Sequence, residues 1–202
     1  MASSKPLHFI TLGPAGTNHE LAAERYFAFH KLDARITLID DFFDGLRMMH
    51  AGQADHMVQV AVHTDCADVV ARAHFDFGIR IIDTFISPSK DLAILTRADV
   101  ETPRSLALQP ATRGYTDISR WPEHIAVSSI MRIAEGLLDG TYESGLTTLE
   151  IAHQNPGRFR IDATIETVDD AWLVFGKSSV ANGKIVAWPD SPGAKFISQS
   201  SR

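Results

Sequence analysis

A single cysteine, Cys66, stands in a chain of 202 residues. An internal disulfide is excluded, and the composition suits a reducing compartment. Long apolar runs are equally scarce. No stretch approaches the ~20 consecutive apolar residues of a membrane span, and the opening Met1-Ala-Ser-Ser-Lys-Pro6 lacks the apolar run of a secretory leader. We therefore expect a cytoplasmic protein with no membrane partner. Positive charge is short too: 19 Lys and Arg face 25 Asp and Glu, for a net charge of −6. Nucleic-acid recognition usually needs a basic face, so no nucleic-acid partner is expected. The nine histidines form no His-x-x-x-His pair and no Cys/His cluster. No metal and no cofactor are expected on that ground.

What remains is an ordinary globular composition, 45% hydrophobic and 22% charged, enough for one sizeable domain or two smaller lobes. The stretch that organises it is Leu12-Gly-Pro-Ala-Gly-Thr-Asn-His-Glu20. It follows the apolar run His8–Leu12 and precedes a helical pattern through Leu21, Ala22, Ala23 and Tyr26. Strand, glycine turn and helix deliver backbone N–H groups and the positive end of a helix dipole to one point, which suits an anion. Gly13 and Gly16 supply backbone freedom, and Thr17 or Asn18 is a natural N-cap. No lysine follows the second glycine and the Gly-x-Gly-x-x-Gly spacing is absent, so the anion expected is a carboxylate rather than a nucleotide.

Strand and helix patterns then alternate. Arg35–Ile39 reads as a strand, and Asp40 or Asp41 caps a helix bearing Phe42, Phe43, Leu46 and Met49 that ends at Gly52. Met57–Val62 and Ile79–Ile82 read as strands flanking a short helix through Val69, Val70 and Ala73. After a Ser87–Lys90 turn, Asp91–Thr96 is a crossing strand. A second unit follows: strand Ser105–Leu108, turn Gln109–Arg113, a short helix reaching Trp121, and strand His124–Val127. Ser128 or Ser129 caps a helix from Ile130 to Leu138 closed by Gly140. Strand Ser144–Thr147, a short helix Thr148–His153, and strands Arg158–Thr164 and Ala171–Phe175 complete it, with a polar tail from Ala194. This is an α/β pattern with helices on both sheet faces. Two such units joined by two crossings predict two lobes around a ligand cleft: residues 1–90 as lobe one, 91–167 as lobe two, and 168–202 as a return to lobe one plus the tail. The strand ends place Gly13–His19, His63–Cys66, Gln109–Arg113, Ser128–Ser129 and Thr147–Thr148 on one rim.

The Gly-Pro-Ala-Gly-Thr loop with its following Ala22-Ala23 resembles the opening of prephenate dehydratases. The likeness continues through Asp41-Phe-Phe-Asp-Gly-Leu46, Gly52-Gln-Ala-Asp55, Ser128 and its helix, and Gly145-Leu-Thr147. It implies their two-lobed fold, related to type II periplasmic binding proteins, and homodimers are common in that family. Two signatures depart. Val62, His63 and Thr64 stand where dehydratases carry Glu-Asn-Ser, and Asp170, Ala171 and Trp172 stand where they carry Thr-Arg-Phe. In length, in Glu20 after the first loop, in Pro110 and in Trp172-Leu-Val-Phe-Gly-Lys177, the chain is more similar to the small prephenate decarboxylases of the bacilysin pathway. That resemblance implies a non-aromatising decarboxylation of a cyclic carboxylic acid, with the hydroxyl retained and a diene carbon protonated. A dehydratase or isomerase of another ring-derived acid, or a non-catalytic carboxylate-binding protein, are the alternatives.

Such chemistry needs carboxylate clamps, a pocket that disfavours charge at the departing carboxylate, and a proton donor. Arg113, at a turn, can hold a carboxylate through two parallel bonds, or be a solvated surface arginine. Thr17, Asn18, Thr64, Thr112 and Ser128 are candidate substrate-binding residues, and each cap residue serves equally as a plain cap. His19 and His63, leaving strand ends, can shuttle a proton or simply pack. Glu20 can fix a histidine tautomer or sit at the helix N-terminus for its dipole alone. Asp170 can be held neutral and donate a proton, or cap a turn with Asp169. Cys66 is either a thiol activated by a helix end or a small packed residue.

Overall fold

The computed structural model describes residues 5–200; residues 1–4 of the opening segment, and 201–202 of the tail, lie outside it. Among the described residues, ten strands form two five-stranded sheets, accompanied by six α-helices. In chain order the first unit is β1 (Leu7–Leu12), α1 (Asn18–His30), β2 (Ala34–Ile39), α2 (Phe42–His50), β3 (His56–Val60), α3 (Cys66–Phe75) and β4 (Arg80–Pro88). The second is β5 (Leu92–Arg97), β6 (Ser105–Leu108), β7 (Glu123–Ala126), α4 (Ile130–Asp139), β8 (Ser144–Thr148), α5 (Glu150–Gln154) and β9 (Phe159–Ile165). Then β10 (Asp169–Gly176) goes back to the first sheet, and α6 (Pro192–Ser200) ends the described chain. Strand orders are β2-β1-β3-β10-β4 and β7-β6-β8-β5-β9.

In the first sheet, β1 pairs in parallel with β2 and β3, while β10 is antiparallel to both β3 and β4. Side chains alternate across it with the strand period of two. Phe9, Val58, Val60, Trp172 and Val174 pack beneath α1 with Ala22 and Ala23. Ile10, Met57 and Phe175 face the other way, into a core with Phe42, Leu46, Met49 and Val69 from α2 and α3. The same alternation splits β5: Leu92 and Ile94 pack with Trp121 and Ile130, whereas Ala93 and Leu95 pack with Ile133 and Leu137. A strand buried on both faces explains why β5 reads as a continuous apolar run.

Local chemistry sets the ends that matter for the cleft. Asp41, not Asp40, caps α2, its carboxylate accepting from Phe43 N at 2.6 Å and Asp44 N at 3.1 Å. Ser129, not Ser128, caps α4, with Arg132 N donating to its hydroxyl at 3.2 Å. Gly140 closes α4 at φ 90°, the left-handed conformation glycine adopts without a Cβ penalty.

Several elements differ from the sequence expectation. Strand β3 stops at Val60, because His63 N turns back to Val60 O at 3.4 Å. Strand β4 continues through Ser87 and Pro88, which pair with Asp170 and Asp169; as an edge strand it tolerates a terminal proline. The helix expected to reach Trp121 is absent. A 3-10 turn at Pro110–Thr112 gives way to irregular chain, where Asp117 competes for the backbone by accepting from Ser119 N at 2.9 Å. The tail contains α6, where Phe196 and Ile197 interrupt the polar run.

Two glycines let the second lobe close. A Cβ at Gly145 would fall 2.3 Å from Ile133 Cγ2, and one at Gly136 would fall 2.4 Å from the Tyr142 ring. Helix α4 therefore lies directly on β8. Replacing Gly145 with alanine should cost about 1–3 kcal/mol by overpacking, read as a lower midpoint in urea unfolding with an unchanged slope.

Candidate functional site

The glycine turn after β1 closes in an unplanned way. Gly16 takes φ +83°, whereas Gly13 has an ordinary φ and is required for a close approach: a Cβ there would lie 3.3 Å from Leu38 Cβ. Thr17 is the N-cap of α1 by backbone geometry, but its hydroxyl donates back to Leu12 O at 3.4 Å rather than capping the helix. The first bond of α1 runs from Leu21 N to Thr17 O at 3.2 Å. The N–H groups of Asn18, His19 and Glu20 thus have no carbonyl within the helix. Glu20 reaches back instead, its Oε2 accepting from Gly16 N at 2.6 Å. This braces the loop in the manner of a capping box and keeps the carboxylate away from the cleft. Asn18 Oδ1 accepts from Lys90 N at 2.9 Å, tying α1 to the first crossing between the sheets.

Between the sheets lies a cavity of about 70 Å³, room for roughly five waters. From the first unit it is lined by Thr17, Asn18, His19, Val60 and His63, and β10 adds Asp170 and Trp172. From the second unit come Gln109, Thr112, Tyr115, Ser128 and Ser129. Of the residues expected at the site, His19, His63, Asp170, Thr17, Asn18, Thr112 and Ser128 are therefore brought together. Glu20, Thr64 and Arg113 do not line it. The turn that buries Thr112 carries Arg113 outward, where its Nη2 lies 3.2 Å from His124 Nδ1. Thr64 is exposed, its hydroxyl 3.4 Å from Asp65 Oδ1. Thr147, placed on the rim by its strand end, is buried and donates to Ile130 O at 2.7 Å, holding the start of α4. No lysine or arginine lines the cavity among the described residues.

Polar atoms in the cavity wall lack partners. His19 Nε2, Asp170 Oδ1 and Trp172 Nε1 are sealed from solvent without a hydrogen bond. Asp170 is 6% exposed, and burial, then the neighbouring Asp169 carboxylate, pushes its carboxyl above the ordinary range. The same burial lowers His19 to about 3, with His63 adding to the effect. His63 is lowered by burial, against the opposing pull of Asp65 and Asp41. Its Nδ1 accepts from Asp65 N at 3.2 Å, which places the proton of the neutral ring on Nε2. The Tyr115 hydroxyl is raised by burial and then by Asp170. Aromatic edges close the inner wall: His19 meets Trp172 at 5.2 Å and Phe42 at 5.6 Å, and Phe42 meets His63 at 5.1 Å. At neutral pH both histidines are uncharged.

The cavity gains Tyr115 over the sequence reading, and Gln109, placed on the rim by its strand end, lines it. Tyr115 lies in the segment expected to form the short helix reaching Trp121, so its side chain gave no cleft signal. Cys66 sits at the first position of α3, yet burial raises its thiol, so it is no activated nucleophile. Among the described residues no group of three or more His, Cys, Asp or Glu could hold a metal ion, and no helix is long and apolar enough to cross a membrane.

Neither a family model nor a curated protein sequence matches the chain. Solved structures do match. The prephenate dehydratase of Arthrobacter aurescens, solved with L-Phe, is 22% identical and aligns over 97% of this chain and 73% of its own, with a TM-score of 0.63. The prephenate dehydratase of Staphylococcus aureus subsp. aureus Mu50 is 15% identical over 86% of this chain and 67% of its own, at 0.58. The periplasmic VFT2 domain of Bordetella pertussis BvgS is 15% identical over 84% and 80%, at 0.52.

The histidine shifts make a stability prediction. His19 is protonated more readily in the unfolded chain, so stability present above its unfolded value of 6.5 is lost as pH falls toward about 3. Between pH 7 and 5 the loss should reach about 1–2 kcal/mol by linkage, with His63 adding in the same direction. Asp170, raised in the fold, works oppositely, its contribution being present at low pH and lost as pH rises. His19→Gln should flatten the acid limb of urea-derived stability against pH. The chain has the two-lobed α/β fold that prephenate dehydratases share with type II periplasmic-binding-protein-like domains.

Proposed function

We propose that the protein is a cofactor-free lyase that removes carbon dioxide from a small cyclic carboxylic acid of the prephenate type without aromatising its ring. The observation that carries the reading is the set of unpartnered polar atoms, His19 Nε2, Asp170 Oδ1 and Trp172 Nε1, gathered in one cleft between the sheets. Buried polar groups are normally hydrogen-bonded, so a cluster of orphans is a built place for ligand atoms.

The N–H groups left without helix carbonyls at the starts of α1 and α4, whose Asn18, His19, Ser129 and Ile130 line the cavity, would meet a bound acid from opposite lobes. They hold a carboxylate without a cation. Val60, Leu92 and Trp172 surround the departing carboxylate with apolar wall, where charge is poorly solvated and its dispersal into carbon dioxide is favoured. The carbon–carboxylate bond breaks, its electron pair moves through the ring unsaturation, and the far carbon takes a proton. Asp170, held as the neutral acid, is the donor, and His63, which is half-buried, returns a proton from solvent. The ring hydroxyl stays in place because no acid need be aligned with it.

Asp170 occupies the position matched to the first residue of the dehydratases' Thr-Arg-Phe signature. That substitution supports an exchange of hydroxyl loss for carbon dioxide loss. The same carboxyl, turned toward the hydroxyl, would serve a dehydratase or isomerase, and a site that only closes on its acid would be a binding module.

Purified protein incubated with prephenate should release carbon dioxide and give a product that retains the hydroxyl, followed by mass and ultraviolet absorbance. Asp170→Asn should lower turnover by about 100-fold or more. Phenylpyruvate formed at an enzymatic rate would replace the decarboxylase reading with a dehydratase. Absence of turnover with prephenate and with other ring acids would leave the binding module.

A further inference from the structure

We infer that a carboxylate enters this cavity together with a proton, which Asp170 carries, so that Asp170 binds the anion as a neutral hydrogen-bond donor and selects for it. The inference rests on the reading that the cavity is an anion site, and concerns how that site is charged rather than which bond it breaks.

Among the described residues the cavity wall contains no lysine and no arginine. Its histidines are both uncharged near neutrality, since burial lowers His19 and His63 alike. Its one carboxyl, Asp170, is 6% exposed and has an oxygen with no partner. An ionised Asp170 beside a bound carboxylate would put two negative charges in a half-buried cleft with no cation to offset them. A shared proton removes the repulsion and turns the orphaned oxygen into a donor or acceptor for the ligand. Two carboxyl groups in one site hold a proton between them for the same reason.

The groups facing Asp170 leave this as the consistent arrangement. Tyr115 is neutral and raised further by Asp170's charge. Asp169, next along β10, raises Asp170 rather than neutralising it. On β4 the register partner of Asp170 is Ser87, and the nearby cation, Arg25 on α1, ends on the Ser87 hydroxyl at 3.2 Å and on Pro88 O. From α1 and the loop after β3 the facing groups are His19 and His63.

The test uses an unreactive probe, cyclohexanecarboxylate, and its neutral amide, titrated calorimetrically into the whole protein from about pH 5 to 8.5. Each point is measured in two buffers of different ionisation enthalpy. Carboxylate affinity should fall with rising pH, approaching about tenfold per unit, with close to one proton taken up per ligand where Asp170 is ionised in the free protein. The amide should bind independently of pH. Asp170→Asn, which keeps a neutral donor, should bind the carboxylate at pH 8 at least tenfold more tightly than the wild type and without proton uptake. Asp170→Ala should also lose the uptake, separating the charge from the shape of the side chain. Carboxylate binding with no uptake across the range would overturn the inference. So would an Asp170→Asn variant that retains the wild-type pH dependence, since a histidine would then carry the proton. Prephenate turnover alongside either result would leave the lyase reading standing while this one falls. Uptake without turnover would do the reverse. Failure of the probe to bind at any pH would overturn this inference, and prephenate turnover would decide the lyase reading separately.

Discussion

The cleft depends on where β10 goes. The chain leaves the first sheet after β4, builds the whole of the second, and comes back to insert β10 between β3 and β4, antiparallel to both. That insertion holds the two crossings side by side: Ser89 N donates to Val168 O at 2.8 Å, and Val168 N donates to the Ser89 hydroxyl at 3.0 Å. It also delivers Asp170 and Trp172 from the far end of the chain to a cavity otherwise begun by the Gly13–His19 loop. Loss of β10 would leave the first sheet with an open seam in its centre and the cavity without its acid.

The electrostatic character of the cavity follows from the same geometry. Side chains that would charge it are diverted before they reach it. Glu20 folds back onto Gly16 N, Arg25 ends on Ser87 and Pro88 O, and Arg113 turns outward to His124. What remains are two uncharged histidines, hydroxyls, helix N-termini and one buried carboxyl. Under the proposed reading, such a site would stabilise an anion through fixed dipoles rather than ion pairs. Its preference therefore depends on geometry and on the protonation of Asp170 more than on salt. The fixed dipoles are already oriented before ligand arrives, which is the condition under which electrostatic stabilisation accelerates a reaction.

Much of the scaffold was legible in the sequence because the strands are short apolar runs bounded by turns and the helix stops are strong. Gly140 after Leu138 and the Asp41 cap are local signals with local outcomes. The glycine loop and the strand-end rule together pointed to Thr17, Asn18, His19 and His63, and all of these line the cavity. Where reading failed, the deciding contact was long in sequence. Arg113 looked like a clamp because a turn arginine is a good one, and only its proximity to His124 on β7 shows which way it faces. Thr147 looked like rim until α4 was placed over β8. Tyr115 was hidden by an expected helix that Asp117 and the surrounding turns override. Asp170 was visible as an oddity against the resembled dehydratases, but its burial against α1 and the second lobe could not be read from Asp169-Asp170 alone.

The account stands on Asp170 being an uncharged acid when the cavity is filled, and infrared difference spectroscopy reads that state directly. Spectra of wild type minus Asp170→Asn, each saturated with cyclohexanecarboxylate at neutral pH, should show the carbonyl stretch of a protonated carboxylic acid in the wild type. That band should shift in heavy water. A carboxylate band in its place would show Asp170 ionised beside its ligand and would contradict the account.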